Sequence, residues 1–134
     1  MEHKEYERVG TFSIDEVFEF LGDDKGNSFW KKKYKNFHGY EVHSNSQRYE
    51  LFYKKGCTCV ACGLKGKYFA LERHLTNANT SSRYHFNLYG TNDLGEEVLI
   101  TKDHIIPKSL GGKNHIDNYQ TMCAPCNEKK KNNL

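Results

Sequence analysis

At 134 residues the chain holds one compact domain, or a small domain with an extension, and a hydrophobic fraction of 37% allows only a modest core. The net charge of +3 conceals an asymmetry: residues 1–24 carry eight acids against Lys4 and Arg8, a balance of −6, whereas the remainder carries 18 Lys and Arg against 9 acids, a balance of +9. No apolar run approaches the ~20 residues that span a bilayer, which excludes a helical membrane protein, and a basic body suits a polyanion such as nucleic acid.

In chain order, Ser13 and Glu16 form a capping box for a helix over Ile14–Leu21, with Ile14, Val17, Phe18 and Leu21 on one face and Gly22 as its stop. A basic, aromatic stretch follows, Phe29 to Phe37. It reads either as a DNA-contacting arm, with lysines on phosphates and aromatics on bases, or as a solvated helix face with its aromatics in the core. Gln47–Lys55 has the look of a short helix leading into Gly56 and the first cysteines. Tyr68–His74 and Tyr84–Tyr89 cluster strand formers, and the Gly90–Gly95 segment has turn composition. Glu97–Thr101 predicts a strand that delivers Asp103 and His104 at its end, and Pro107, Gly111 and Gly112 then enforce a loop. Ala124–Lys131 is rich in helix formers. The expected class is α+β: a small zinc-stapled domain over 47–134 with a β-hairpin insert, preceded by an N-terminal helical accessory segment over 1–46.

Five cysteines without a secretory apolar stretch argue for a reducing, cytoplasmic setting and for metal binding over disulfides. Four of them fall into two matched pairs, Cys59-x-x-Cys62 and Cys123-x-x-Cys126. Four thiolates close a tetrahedral, structural zinc site with no open position. A thioredoxin-type redox pair would need a βαβ context that is missing here. Cys57 is the spare: it lies beside Cys59, but Cys59–Cys62 followed by Gly63 makes the better knuckle.

Chemistry-bearing residues gather between the Glu97–Thr101 strand and the second knuckle. Asp103-His104-Ile105-Ile106-Pro107, then Gly111-Gly112, then Asn118, then Cys123-x-x-Cys126-Asn127-x-x-Lys130 resembles the motif of the HNH nuclease family, whose core is the ββα-metal fold. The similarity covers about Gln47–Asn133. It implies a metal-dependent endonuclease acting on DNA, with the residue matching His104 as general base. Asp103 and Asn127 would then hold one catalytic ion, and Asn118 would steady the loop that orients the histidine. Asn127 stands where the name-giving pattern has histidine. That variant is similar to the subset that includes phage Holliday-junction resolvases, and it implies a bacterial or phage-infected cell.

The chemistry leads to the same assignments. Histidine is the side chain whose unperturbed pKa, about 6.5, lets it accept a proton near neutrality. Asp103 and Asn127 offer oxygen donors, which favour Mg²⁺ or Mn²⁺ over a second zinc. Neighbours on an extended strand point to opposite faces, so a bend or bulge would be needed to bring Asp103 and His104 together. His115, His74 and His85 read as exposed or structural. Lys108, Lys113, Lys129 and Lys130 are plausible phosphate contacts. One ββα-metal site handles one strand, so a double-strand cut would take a homodimer or two successive nicks. The competing classes are a non-catalytic zinc-binding nucleic-acid module on the same scaffold and a zinc-stabilised protein-interaction domain. The latter gives no reason for Asp-His before the loop and Asn after the knuckle.

Overall fold

The computed structural model describes residues 6–22, 32–75 and 83–131. By contacts the chain divides into two compact units, residues 1–46 with 68–87 and residues 47–67 with 88–134.

In the first unit, β1 (Tyr6–Ser13) leads directly into α1 (Ile14–Leu21). The Ser13 side chain accepts from the Glu16 amide at 3.0 Å, as the capping box predicts. Val17 and Leu21 are the fully buried positions of the helix; residues of this kind contribute about 1.5–3 kcal/mol each when taken out of water. A hairpin follows, β2 (Tyr34–Phe37) and β3 (Tyr40–His43), paired antiparallel across a tight turn in which His38 takes a φ of +51°. The helix-face reading of the basic, aromatic stretch is therefore corrected for its described part. Tyr34–Phe37 is a strand: Tyr34 and Asn36 are exposed on one face, while on the other Phe37 is buried and Lys35 lies with its ammonium over the Phe20 ring. Residues 29–31 lie outside the described residues.

β4 (Tyr68–His74) pairs antiparallel with β1 and neighbours the start of β5 (His85–Thr91). Charge complementarity reinforces the register. Arg8 donates to the buried Glu72 carboxylate at 2.7 Å, which also accepts from Asn87 at 2.7 Å. Arg73 pairs with Glu7 at 2.5 Å. Phe12, Phe20, Phe37, Phe69 and Phe86 fill the interior edge to face, with Phe20 and Phe37 centroids 4.8 Å apart. The N-terminal residues are thus strand as well as helix, not the purely helical extension expected.

The second unit begins with α2 (Gln47–Lys55), whose Tyr49, Leu51 and Phe52 are buried. The end of β5, then β6 (Glu97–His104) and β7 (Tyr119–Cys123), run side by side, and α3 (Ala124–Lys130) follows without a break. β6 is longer than expected and continues through Asp103 and His104. β7 went unrecognised in the sequence. Together β6, β7 and α3 make a strand–loop–strand–helix unit around a core of Leu88, Ile100, Tyr119 and Met122. Polar ties fix α2 to β7: Lys55 donates to the Tyr119 carbonyl at 2.8 Å, and Thr121 donates to that of Gly56 at 2.7 Å. Among the described residues no helix is long and apolar enough to cross a membrane.

Candidate active site and metal centre

The first knuckle hangs on the second. In the turn over 58–65, the Cys59 amide donates to the Leu64 carbonyl at 2.8 Å and Gly63 returns to the Cys59 carbonyl at 3.0 Å. The Val60 amide then donates to Thr121 of β7 at 2.9 Å, which sets this turn beside Cys123, the last residue of that strand. Cys126 follows in the first turn of α3. The result is four sulfurs within 4.8 Å of one another, with Cys62 and Cys123 3.7 Å apart. Zinc–sulfur bonds of about 2.3 Å at tetrahedral angles require sulfurs roughly 3.8 Å apart, so the cage has the dimensions of a zinc site.

Its electrostatics ask for a cation. Burial opposes ionisation of Cys59, but amides of Cys123, Cys62 and Ala61 aimed at its sulfur bring its pKa down to about 6. The hydrogen bond with Cys123 and then burial push Cys126 up to about 12, and burial raises Cys123 as well. One thiolate in so small a space makes the next unfavourable, and a divalent ion removes that conflict. Cys57 stands outside the cage; burial raises its thiol to about 11, and its sulfur faces the Phe52 carbonyl at 3.9 Å.

Asp103, His104 and Asn127 line one open cleft of ≈ 240 Å³, together with Lys102, Pro107, Lys108 and Lys131. No bulge brings them there. The β6–β7 register is unbroken, Asp103 opposite Gln120 and His104 opposite Tyr119, so the two side chains alternate as strand neighbours do. They share the cleft at the C-terminal end of β6, of which His104 is the last residue. Asp103 is buried, and its Oδ2 accepts from Gln120 Nε2 at 2.9 Å and faces Lys130 Nζ at 3.2 Å. His104 meets the Tyr119 ring edge to face, with centroids 5.1 Å apart, and its Nε2 lies 2.7 Å from Asn114 Oδ1.

Asn127 is oriented by a forced choice. The Thr101 hydroxyl donates to the Met122 carbonyl at 2.7 Å, so its oxygen can only accept from Asn127 Nδ2, at 2.9 Å. The Asn127 carbonyl oxygen is turned away from Thr101 and left as a donor atom for a cation.

Asn118 is the brace of the loop. Its Oδ1 accepts from the Ile106 amide at 2.9 Å, while Nδ2 donates to the carbonyls of Ile106 and Lys113, each at 3.0 Å. Both amide hydrogens and the carbonyl oxygen are engaged with backbone, so the side chain ties the two ends of the loop together. His115 is exposed and accepts from the Asp117 amide; His74 is exposed and His85 half-buried, both in the other unit.

Asn114 and Gln120 are the site residues that sequence reasoning missed, and Lys130, read from the sequence as a phosphate contact, has its ammonium at Asp103 Oδ2 and the His104 carbonyl. Gln120 had a signal only in hindsight of pairing: it faces Asp103 across an antiparallel ladder. Asn114 lies in a loop, where no period places a side chain. The cleft is cationic: burial first, then the charges of Arg48 and Lys108, hold the Lys102 pKa below its ordinary value.

Residues 89–134 match the family model described as HNH endonuclease. No curated protein and no solved structure matches the chain.

Proposed function

We propose that this protein is an HNH-type, metal-dependent endonuclease that hydrolyses phosphodiester bonds in DNA, of the kind in which Asn replaces the final histidine of the motif. The observation that carries this is the meeting of Asp103, His104 and Asn127 on one cationic cleft, beside a four-cysteine cage, inside the segment that matches the family.

His104 is the general base. Asn114 Oδ1 is an acceptor only, so His104 Nε2 carries its proton and Nδ1 is the nitrogen free to take one from water. Asn118 and the loop it braces hold Asn114 in reach of the imidazole. Asp103 and Asn127 are the ligands for a magnesium or manganese ion, since one carboxylate and one amide oxygen are a hard-cation donor set. When bound, such an ion would polarise the phosphate and stabilise the departing oxygen. The cysteine cage holds zinc and serves geometry, because it fixes the helix start that presents Asn127 one residue after Cys126. Lys102, Lys108 and Lys131 attract the polyanion, which makes binding strongly salt-dependent.

The test is nicking of supercoiled plasmid by zinc-loaded protein with added Mg²⁺ or Mn²⁺, beside His104→Ala. General-base loss lowers the rate by roughly 10²–10⁴-fold, with zinc content and DNA affinity kept. Cleavage by the variant at the full rate would remove His104 from the chemistry. DNA binding without cleavage under any divalent metal would identify the non-catalytic module instead.

A further inference from the structure

The geometry points to Lys130 and Gln120 as the positioning residues that select which divalent cation Asp103 accepts. This rests on Asp103 and Asn127 being the cation ligands. Two donors from different elements, Gln120 Nε2 at 2.9 Å and Lys130 Nζ at 3.2 Å, converge on the same carboxylate oxygen, Oδ2. Neither is a loose surface group. Gln120 sits opposite Asp103 on the ladder, and Lys130, 13% exposed, is also held by the His104 carbonyl at 2.9 Å. Among the described residues Oδ1 has no hydrogen-bond partner, and it is not one of the side-chain atoms buried without one, so it opens to the cleft.

Asp103 therefore presents one oxygen, not two. Asn127 also presents one, because its amide nitrogen is committed to Thr101. Calcium takes six to eight oxygens and commonly draws both from a carboxylate, whereas magnesium keeps an octahedral shell, several waters and single carboxylate oxygens. A carboxylate whose second oxygen is already occupied by two donors cannot chelate a large ion side-on. The site is shaped for Mg²⁺ or Mn²⁺ and against Ca²⁺. The charge of Lys130 repels either ion alike, so it changes affinity without changing preference. The ratio of two affinities isolates the coordination effect.

The experiment uses the zinc-loaded full chain without DNA. Mn²⁺ binding is followed by electron paramagnetic resonance, with Mg²⁺ and Ca²⁺ as competitors. Lys130→Met and Gln120→Leu are each expected to move the Ca²⁺:Mg²⁺ competition ratio toward calcium on the order of tenfold, the usual scale of a contact behind a metal ligand. Gln120→Leu carries the test if loss of Lys130 unfolds the protein. An unchanged ratio in a variant that keeps its zinc overturns the proposal and leaves the cation site standing. Mn²⁺ binding that survives Asp103→Ala undiminished overturns the cation site itself, and the selection with it.

Discussion

Replacing Gly112 with alanine separates the loop brace from the rest of the fold. A Cβ there would lie 1.6 Å from the Ile106 carbonyl oxygen, 2.6 Å from its carbon and 2.9 Å from Asn118 Nδ2. Two of these are backbone atoms, so no rotamer relieves the contact. Either Ile106 or Gly112 must move, and two hydrogen bonds depend on their approach: Asn118 Nδ2 to the Ile106 carbonyl and the Gly112 amide to Pro107, at 2.9 Å. Two bonds at about 1 kcal/mol each, with about 1–3 kcal/mol for overpacking, remove about 3–5 kcal/mol from the closed loop. At 1.4 kcal/mol per decade that is a shift of two decades or more toward open forms. The cage and core do not pass through this contact, so zinc content and the main unfolding transition should survive. Plasmid nicking should fall at least tenfold, with faster hydrogen exchange at Ile106 and Asn118. Gly111→Ala is the comparison. Its neighbourhood is empty, and only its φ of +94° opposes a side chain, at a cost of about 1–2 kcal/mol, so it should be the milder change. Full nicking activity in Gly112→Ala, with exchange unaltered, would refute the coupling of loop closure to His104.

Metal analysis should find close to one zinc per chain, and Cys123→Ser should unfold the second unit, because a structural ion contributes its binding free energy to folding; a folded, zinc-free protein would contradict the cage. The Arg73 hydrogen bond, and then that of Tyr84, lowers the Glu7 pKa below its ordinary 4.5, so this group adds stability above that value and loses it as pH falls through the folded one. Glu7→Gln should lower the urea midpoint at pH 7 and make no difference at strongly acid pH; an equal deficit at both would exclude the ion pair as its cause.

Helices were legible because their signals are local. Ser13, Glu16 and Gly22 bound α1 within one stretch of chain, and α2 is found where Gln47–Lys55 suggested. The missed strands lack such signals. Tyr119–Cys123 shows no clean alternation, since four of its five residues are buried, and β1 carries Glu7 and Arg8, whose charges are matched by Arg73 and Glu72 more than 60 residues away. The hairpin turns on His38-Gly39 rather than an Asn-Gly signal. In the site, side chains named by the motif were legible, and the four sulfurs do gather. The partners of those side chains were not. Gln120 and Asn114 meet Asp103 and His104 through strand register and loop closure, which exist only once the chain is folded.

Both units are assembled from interrupted sequence, for residues 68–87 belong with the first 46 while the flanking stretches belong together. Neither unit can be cut out as a continuous piece. A fragment starting at residue 88 would carry Asp103, His104 and Asn127 but only Cys123 and Cys126 of the cage, and a fragment ending at residue 67 would strand the other two cysteines. During synthesis Cys59 and Cys62 must wait for some 60 further residues before their partners exist. Contacts that span so much chain form slowly, and thiols held open for that time are exposed to oxidation and to stray metals. Heterologous production of this protein should therefore depend on zinc supply while the chain is being made, not on zinc added after purification.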